Sequence, residues 1–207
     1  MEKLCVVIGA GEFSPPKIKL DKSCLVIAAD GGYLAAKSVG ISPDMIIGDF
    51  DSASAPEDSE AFVVKLNRDK DDTDTLAAVK AGLRRGHNKF VIYGGTGGRL
   101  DHTVANFATL AYLNAFGAHG YLVSRDSVAT VITDEKFTLP KSVHGTVSVF
   151  AYGGTASGVT LKGLKFPLGD YEMTPDFPIG VSNETVDGKT AEISVKHGSL
   201  LIIFPRA

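Results

Sequence analysis

Aspartates provide most of the side chains that could do chemistry in this chain. Eleven of the sixteen fall within the first 101 positions, and seven of these eleven lie in four clusters. The clusters are Asp30-Gly31-Gly32, Gly48-Asp49-Phe50-Asp51-Ser52, Asp71-Asp72-Thr73-Asp74 and Gly97-Gly98-Arg99-Leu100-Asp101-His102. Carboxylates this close repel one another unless a hard cation neutralises them, and magnesium usually joins one or two carboxylates to substrate phosphates. Asp49, Asp51 and Asp74 are therefore candidate magnesium ligands, and the implied substrate carries phosphate.

The fourth cluster overlaps a glycine-rich segment, residues 94–98. Glycine lets a backbone approach a phosphate closely, and Arg99 can bind phosphate oxygens through two parallel hydrogen bonds. The sequence contains no G-x-x-x-x-G-K-[ST] phosphate loop. The Gly9-Ala10-Gly11 segment also departs from the dinucleotide-binding pattern, because Ser14 occupies the third glycine position. A nucleotide site of another kind is predicted.

Each cluster also has a simpler structural interpretation. An aspartate at the start of a helix is usually a cap, and we assign Asp72 to that role. Gly-Gly pairs often mark turns, and His102 is as well explained by a surface or capping role as by that of a base. The enzyme interpretation depends on all clusters following predicted strands of one sheet.

The first half of the chain predicts the elements that would position these clusters. Short apolar runs alternate with helical patterns, which is typical of an α/β domain with a largely parallel sheet. The predicted strands are 4–8, 24–29, 45–47, 62–66 and 89–93, with helices over 73–85 and from about Val104 to before Gly117. In such sheets ligands bind beyond the carboxyl ends of the strands, so the clusters should converge on one crevice.

The second half predicts a different architecture. Short strands at 128–133, 146–151, 158–161, 191–195 and 200–204 are separated by Gly and Pro turns, with no helical pattern. We place the domain boundary near Lys136, which gives an α/β catalytic domain over 1–136 and an all-β domain over 137–207.

Composition limits the partners. A net charge of -3 and a pI near 5.9 give no electrostatic reason to expect nucleic acid or an anionic membrane. The apolar runs are far shorter than a membrane-spanning helix, and the N-terminus lacks the pattern of a secretory signal, so a cytoplasmic location is expected. Cys5 and Cys24 lie in apolar runs and are expected to be buried thiols without a chemical role.

The motifs resemble those of bacterial-type thiamine pyrophosphokinases. The segments A-A-D-G-G-Y-L, P-D-M-I-I-G-D-F-D-S, D-K-D-D-T-D-T-L and G-G-T-G-G-R-L-D-H-T-V-A-N follow one another in the order found in that family. The second half continues the resemblance through Gly180-Val181-Ser182-Asn183-Glu184 and His197-Gly198. Nearly the whole chain is covered.

The resemblance implies a reaction and an assembly. The reaction is transfer of the pyrophosphoryl group of ATP to the hydroxyethyl group of thiamine, giving thiamine diphosphate and AMP. The implied fold is an α/β catalytic domain followed by a β-sandwich that binds thiamine. The implied assembly is a homodimer with its active site in a cleft between subunits.

The resemblance also implies roles for individual residues. The catalytic residues would be Asp49, Asp51, Asp74 and Asp101, the first three of them as magnesium ligands. The ATP contacts would be Asp30, Gly31, Gly32, Thr73, Gly97, Gly98 and Arg99. The thiamine contacts would be Asp101, His102, Ser182 and Asn183. Asp101 or Asp74 would accept the hydroxyl proton.

One feature departs from the family. Some members stack a Trp on the substrate, and this chain contains no Trp. The candidate replacements are Tyr152, Phe166, Tyr171 and Phe177, each of which core or turn packing explains equally well.

Three alternatives remain open at the level of sequence. A related enzyme of this fold could pyrophosphorylate a pterin alcohol, although Ser182 and Asn183 favour thiamine. A haloacid-dehalogenase-type phosphatase would use Asp49 as nucleophile, but would leave the clusters at Asp74 and Arg99 without a role. A non-catalytic sensor would bind the same ligands with the same residues.

Overall fold

The computed structural model of the protein describes residues 2–16, 20, 23–50, 60–67 and 71–206. The chain divides into two compact units, Met1–Arg125 and Asp126–Ala207. Among the described residues, none of the helices combines the length and apolar composition that crossing a membrane requires. The predicted Asp51 magnesium ligand lies outside the described residues.

The first unit is an α/β domain, as the sequence predicts. Its strands are β1 (Leu4–Ile8), β2 (Leu25–Ala29), β3 (Met45–Gly48), β4 (Phe62–Lys65), β5 (Lys89–Tyr93) and β6 (His119–Val123). Its helices are α1 (Gly32–Ser38), α2 (Asp74–Arg84) and α3 (Leu100–Ala115).

The six strands form a parallel sheet in the order β4-β3-β2-β1-β5-β6. The central strands are continuous apolar runs because both faces of a parallel sheet are covered, and Ile8, Ile27, Ile46 and Ile92 are fully buried or nearly so. Because all strands run the same way, the loops after β1, β2, β3 and β5 meet at one edge. The strand order changes direction between β1 and β5, and ligands bind at such switch points.

The second unit is all-β and antiparallel. Its strands are β7 (Ser127–Thr133), β8 (Lys136–Thr138), β9 (Thr146–Lys162), β10 (Leu168–Met173), β11 (Asn183–Glu184), β12 (Glu192–Ser194) and β13 (His197–Pro205). The long strand β9 pairs with β13, β12, β10 and β11 and so organises the unit. Val147, Val149, Val159 and Ile193 are completely buried in its core.

The division of the chain falls before the predicted boundary near Lys136, which lies in β8 of the second unit. The reason is that β7 pairs along its whole length with the C-terminal strand β13. Residues 127–133 therefore belong with the all-β unit.

The prediction of separate strands at 146–151 and 158–161 is wrong. The structure has one strand of 17 residues, Thr146–Lys162, through Gly153 and Gly158. Pairing continues across the expected turn, with Tyr152 opposite Ser199 and Ser157 opposite His197. Gly153 and Gly158 have φ of 75° and 69°, so these glycines accommodate local irregularities rather than a turn.

Candidate active site

The loops after β1 and β5 are joined at the switch point of the sheet. The Gly9 N–H donates to the Tyr93 carbonyl and the Gly11 N–H donates to the Gly94 carbonyl, each at 2.7 Å. A Cβ at Gly11 would lie 2.6 Å from the Gly94 oxygen, too close for any side chain. The Gly9-Ala10-Gly11 segment therefore serves close backbone approach, although it is not a dinucleotide-binding motif.

The segment 94–99, which we call the glycine loop, is held to the protein through the carbonyl groups of Gly94, Gly95 and Thr96. In addition to the Gly94 contact, the Gly95 oxygen accepts from Asn106 Nδ2 at 2.7 Å and the Thr96 oxygen accepts from the Glu12 N–H at 2.7 Å. Within the part of the chain that the structure describes, the N–H groups of residues 95–98 have no acceptor. Backbone N–H groups left available in this way can bind an anion.

A cavity of about 250 Å³ lies beside the glycine loop. Its lining residues come from the loop after β1, the start of α2, the glycine loop and α3, and they are Ala10, Gly11, Thr75, Gly94, Gly95, Gly97, Gly98, Arg99, His102 and Asn106. Of the predicted site residues, the structure brings Gly97, Gly98, Arg99 and His102 together here. The arrangement suits a small anion held by backbone N–H groups and one arginine.

Asn106 is a lining residue to which the sequence analysis assigns no role, although it is the last residue of the quoted segment G-G-T-G-G-R-L-D-H-T-V-A-N. It is only 5% exposed and lies on the face of α3 that also buries Leu110 and Leu113. The sequence signal for its burial is the i, i+4, i+7 spacing of Asn106, Leu110 and Leu113, which places a polar residue on an apolar helix face. Buried polar side chains need partners, and Asn106 finds one in the glycine loop.

Asp30, Gly31 and Gly32 follow β2 at the same edge of the sheet. The Asp30 N–H donates to the Ile47 carbonyl at 2.8 Å, and Asp30 has a φ of 47°. Gly32 begins α1 against β1, where a Cβ would lie 1.9 Å from the Ile8 oxygen. The close packing of α1 on β1 thus requires glycine at position 32. The half-buried Asp30 lies at the carboxyl end of β2.

Asp49 and Asp74 each begin a segment at this edge. Asp49 directly follows β3, and Asp74 is the first residue of α2, next to the cavity-lining Thr75. Both are half-buried. Among the described residues no three acidic, His or Cys side chains group closely enough to hold a metal. The third predicted ligand, Asp51, lies outside the described residues.

The cap of α2 differs from the prediction. Thr73, not Asp72, is the N-cap, and its Oγ1 accepts from the Leu76 N–H at 3.1 Å. Asp72 instead forms an ion pair with Lys80 at 2.6 Å. The helix therefore begins one residue later than a cap at Asp72 would place it, and Thr73 keeps its hydroxyl hydrogen for another acceptor.

Arg99, the last residue of the glycine loop, forms an exposed ion pair with Asp101. Arg99 Nε donates to Asp101 Oδ1 at 3.1 Å, and Nη2 donates to Oδ2 at 2.5 Å. The hydrogen bonds from Arg99 hold the pKa of Asp101 below its usual range, helped by the His102 N–H, and Asp101 raises the pKa of Arg99. Asp101 therefore stays ionised and is a weak proton acceptor.

Ser182 and Asn183 lie beside a cavity of about 190 Å³ in the second unit. The Asn183 side chain is buried, and its amide makes three hydrogen bonds with the backbone. Nδ2 donates to the Phe166 oxygen at 2.7 Å, and Oδ1 accepts from the N–H groups of Phe166 and Glu184 at 2.9 Å. Ser182 is exposed and has a φ of 57°. Asn183 thus fixes the backbone of this cavity, and Ser182 is the one with an accessible side chain.

The four aromatic candidates have different surroundings. Phe166 is 57% exposed and lines the same cavity as Ser182, and Phe177 is 59% exposed. Tyr171 packs against the core of the second unit, and burial raises the pKa of Tyr152. Phe166 is therefore the candidate that the structure brings to Ser182 and Asn183.

Two family models match the chain. Residues 17–122 match the model described as thiamin pyrophosphokinase, catalytic domain, and residues 135–200 match thiamin pyrophosphokinase, vitamin B1 binding domain. The first model alone spans more than half of the chain. These matches favour a diphosphokinase over the phosphatase alternative.

Relatives and solved structures agree with the family models. The chain is 25% identical over 189 residues to the thiamine pyrophosphokinase of Bacillus subtilis, covering 88% of each protein. It is 27% identical over 191 residues to thiamin pyrophosphokinase 1 of Caenorhabditis elegans, covering 85% of this chain and 76% of that protein. The crystal structure of the Bacillus subtilis protein shares the fold with a TM-score of 0.85 at 24% identity, covering 97% of this chain and 98% of that one.

Proposed function

The chain belongs to the thiamine pyrophosphokinase family, and from that premise we propose that it transfers the pyrophosphoryl group of ATP to the hydroxyethyl group of thiamine. The products are thiamine diphosphate and AMP. The observation that best supports a phosphate-binding role for this chain is the glycine loop. Its first three carbonyl groups are bound to the protein, and it lies beside a cavity that Arg99 also lines.

The reaction joins the thiamine hydroxyl oxygen to the β-phosphorus of ATP. The bond between that phosphorus and the oxygen bridging to the α-phosphorus breaks, and AMP leaves with the electron pair. The hydroxyl proton goes to a carboxylate of the enzyme. Such transfers depend mainly on positioning and on stabilising the charge of the phosphate oxygens, so the protein needs no nucleophile of its own.

Asp74 and Asp101 are the two candidate proton acceptors. The sequence leaves Asp74 and Asp101 as alternatives, but Arg99 lowers the pKa of Asp101 and both of its oxygens already accept hydrogen bonds from Arg99. A carboxylate held in this way is a weaker base. Binding magnesium would weaken Asp74 as a base in the same way, so both carboxylates stay candidates.

Asp49, Asp51 and Asp74 would hold magnesium. Their hard carboxylate oxygens suit this ion, which takes few protein ligands and completes its octahedron with phosphate and water. When bound, magnesium would neutralise the charge on the phosphate oxygens. The two described ligands, Asp49 and Asp74, begin segments at the carboxyl edge of the sheet, where the phosphates would lie.

The ATP contacts divide between backbone and side chains. Gly97 and Gly98 would offer N–H groups, and Arg99 would bind phosphate oxygens through its guanidinium. Thr73 would donate through its hydroxyl while its oxygen caps α2. Asp30, Gly31 and Gly32 would lie along the nucleotide on the other side of the switch point.

The proposed thiamine contacts are Asp101, His102 and Ser182. The buried Asn183 would shape the pocket by holding the Phe166 backbone, and Phe166 would take the position of the stacking aromatic ring. A cationic thiazolium ring is suited to an aromatic face. We also propose a homodimer and a cytoplasmic location, which light scattering and cell fractionation would test.

Product analysis by mass spectrometry tests the function directly. The purified chain is incubated with magnesium, ATP and thiamine, with a control lacking thiamine. Thiamine diphosphate and AMP in equal amounts are expected. Thiamine monophosphate with ADP would rule out the pyrophosphoryl step, and the absence of any thiamine-dependent product would direct attention to pterin alcohols and then to a sensor role.

A further inference from the structure

The glycine loop is anchored through three successive carbonyl groups. Those of Gly94 and Thr96 accept from the backbone N–H groups of Gly11 and Glu12. The middle one, of Gly95, accepts from the side chain of Asn106 at 2.7 Å. The middle anchor is therefore the one that depends on the identity of a side chain.

Anchoring a carbonyl also orients the next N–H group. In a trans peptide the C=O of one residue and the N–H of the following residue point in opposite directions within one plane. The contact from Asn106 to Gly95 therefore turns the Thr96 N–H away from α3. Likewise, the anchors on Gly94 and Thr96 orient the N–H groups of Gly95 and Gly97.

Asn106 has the burial that a fixed anchor needs. It is 5% exposed and lines the cavity that Gly95, Gly97 and Arg99 also line. A Cβ at Gly95 would lie 3.0 Å from Asn106 Nδ2 and 2.6 Å from Leu122 Cδ1, so the two residues are tightly packed. The loop cannot settle onto α3 in another orientation without displacing these groups.

We propose that Asn106 is a positioning residue for ATP binding: by holding the Gly95 carbonyl, it fixes the path of the glycine loop and so keeps Gly97 and Arg99 in place around a phosphate group in the cavity that they line. The proposal rests on the proposed function, since it takes the glycine loop as the phosphate site. Without this anchor the peptide between Gly95 and Thr96 could rotate, and the residues that follow it in the loop would lose their positions at the cavity.

Asn106→Asp is the most direct test, because it keeps the shape of the side chain and removes the N–H donor. We expect the Kd for ATP with magnesium, measured calorimetrically without thiamine, to rise about tenfold at neutral pH, since one positioned hydrogen bond is lost and a charge is added. The KM for ATP should rise in parallel, while the KM for thiamine stays unchanged.

The pH dependence separates positioning from a general structural effect. A buried carboxyl has a raised pKa, and its protonated form can donate a hydrogen bond to Gly95. The ratio of variant to wild-type Kd should therefore fall towards one between about pH 8 and pH 5. Arg99 and His102 line the same cavity and are present in both proteins, so the ratio removes their direct effects on ATP binding.

Thr109→Val is the matched control. Thr109 lies on the same helix, is 2% exposed, and donates to the Ala105 carbonyl at 3.1 Å. Its substitution should leave the Kd for ATP unchanged even where it lowers the melting temperature. Asn106→Ala, with the same expected loss, is used if the aspartate variant does not fold.

The outcomes separate the two proposals. Wild-type affinity in folded Asn106 variants, or an equal loss in Thr109→Val, overturns the positioning role and leaves the proposed function intact. A wild-type chain that binds no ATP overturns both. A wild-type chain that binds ATP without forming thiamine diphosphate overturns the proposed reaction, and Asn106 is then judged by binding alone.

Discussion

Arg99 holds Asp101 through two hydrogen bonds, from Nε to Oδ1 at 3.1 Å and from Nη2 to Oδ2 at 2.5 Å. A phosphate group would use the same planar fork of the guanidinium. In the structure Asp101 thus occupies the position that a phosphate would take on Arg99. We infer that ATP competes with this carboxylate, and that the fork geometry of Arg99 matters more than its charge.

Arg99→Lys tests this inference. Lysine keeps the charge but lacks the fork, so we expect the KM for ATP to rise about tenfold with little change in kcat. The melting temperature should not change, because Arg99 and Asp101 are both exposed. Lys136→Ala, which breaks an exposed pair with Glu192 in the second unit, should leave the kinetics as they are. An unchanged KM for ATP in Arg99→Lys would show that the fork geometry of the guanidinium does not contribute to phosphate binding.

Asp49→Asn and Asp74→Asn should each lower turnover by at least about a hundredfold while the protein remains folded. An amide keeps the shape of the carboxylate but loses the charge that attracts magnesium. Asp71→Asn is the control, because Asp71 is exposed and precedes the cap of α2. The measurement is initial rate against magnesium concentration, with circular dichroism to verify folding. Full activity in either variant would exclude that residue from the metal site.

Strands buried on both faces could be predicted well from sequence. β1 and β5 have the predicted bounds, because a strand in a parallel sheet is a continuous apolar run with polar or glycine residues at both ends. The length of β9 could not be predicted, because its continuity past Gly153 depends on partners distant in sequence. Local patterns report turns, and long-range pairing overrides them.

Site prediction had a similar limit. The parallel sheet explains why loops distant in sequence meet at one edge. The predicted residues Gly97, Arg99 and His102 do line one cavity, together with residues of the loop after β1 and of α2. The anchoring role of Asn106 could not be predicted, since its partner is a carbonyl oxygen eleven residues away. The choice between Thr73 and Asp72 as the cap also depends on geometry, because both residue types are good caps.

Cys5 should resist alkylation in the folded protein. It is fully buried, and burial raises the pKa of its thiol to about 12, so the reactive thiolate is scarce until the pH approaches that value. Iodoacetamide at mildly alkaline pH should label Cys5 only after denaturation, as read by peptide mass spectrometry. A Cys24→Ser variant isolates the signal from Cys5. Rapid labelling of the native variant would mean that β1 opens readily.

Thr96→Val should stabilise the protein in the absence of ligand. The Thr96 Oγ1 is buried and has no hydrogen-bond partner among the described residues, and an unpaired buried hydroxyl is costly. Valine has nearly the same shape, so we expect the free energy of unfolding to rise by about 1 kcal/mol. Urea denaturation measures it, with Thr109→Val as the contrast, because Thr109 loses a hydrogen bond to Ala105. Stability that is unchanged or lower in Thr96→Val would show that the hydroxyl is already satisfied, for example by an ordered water.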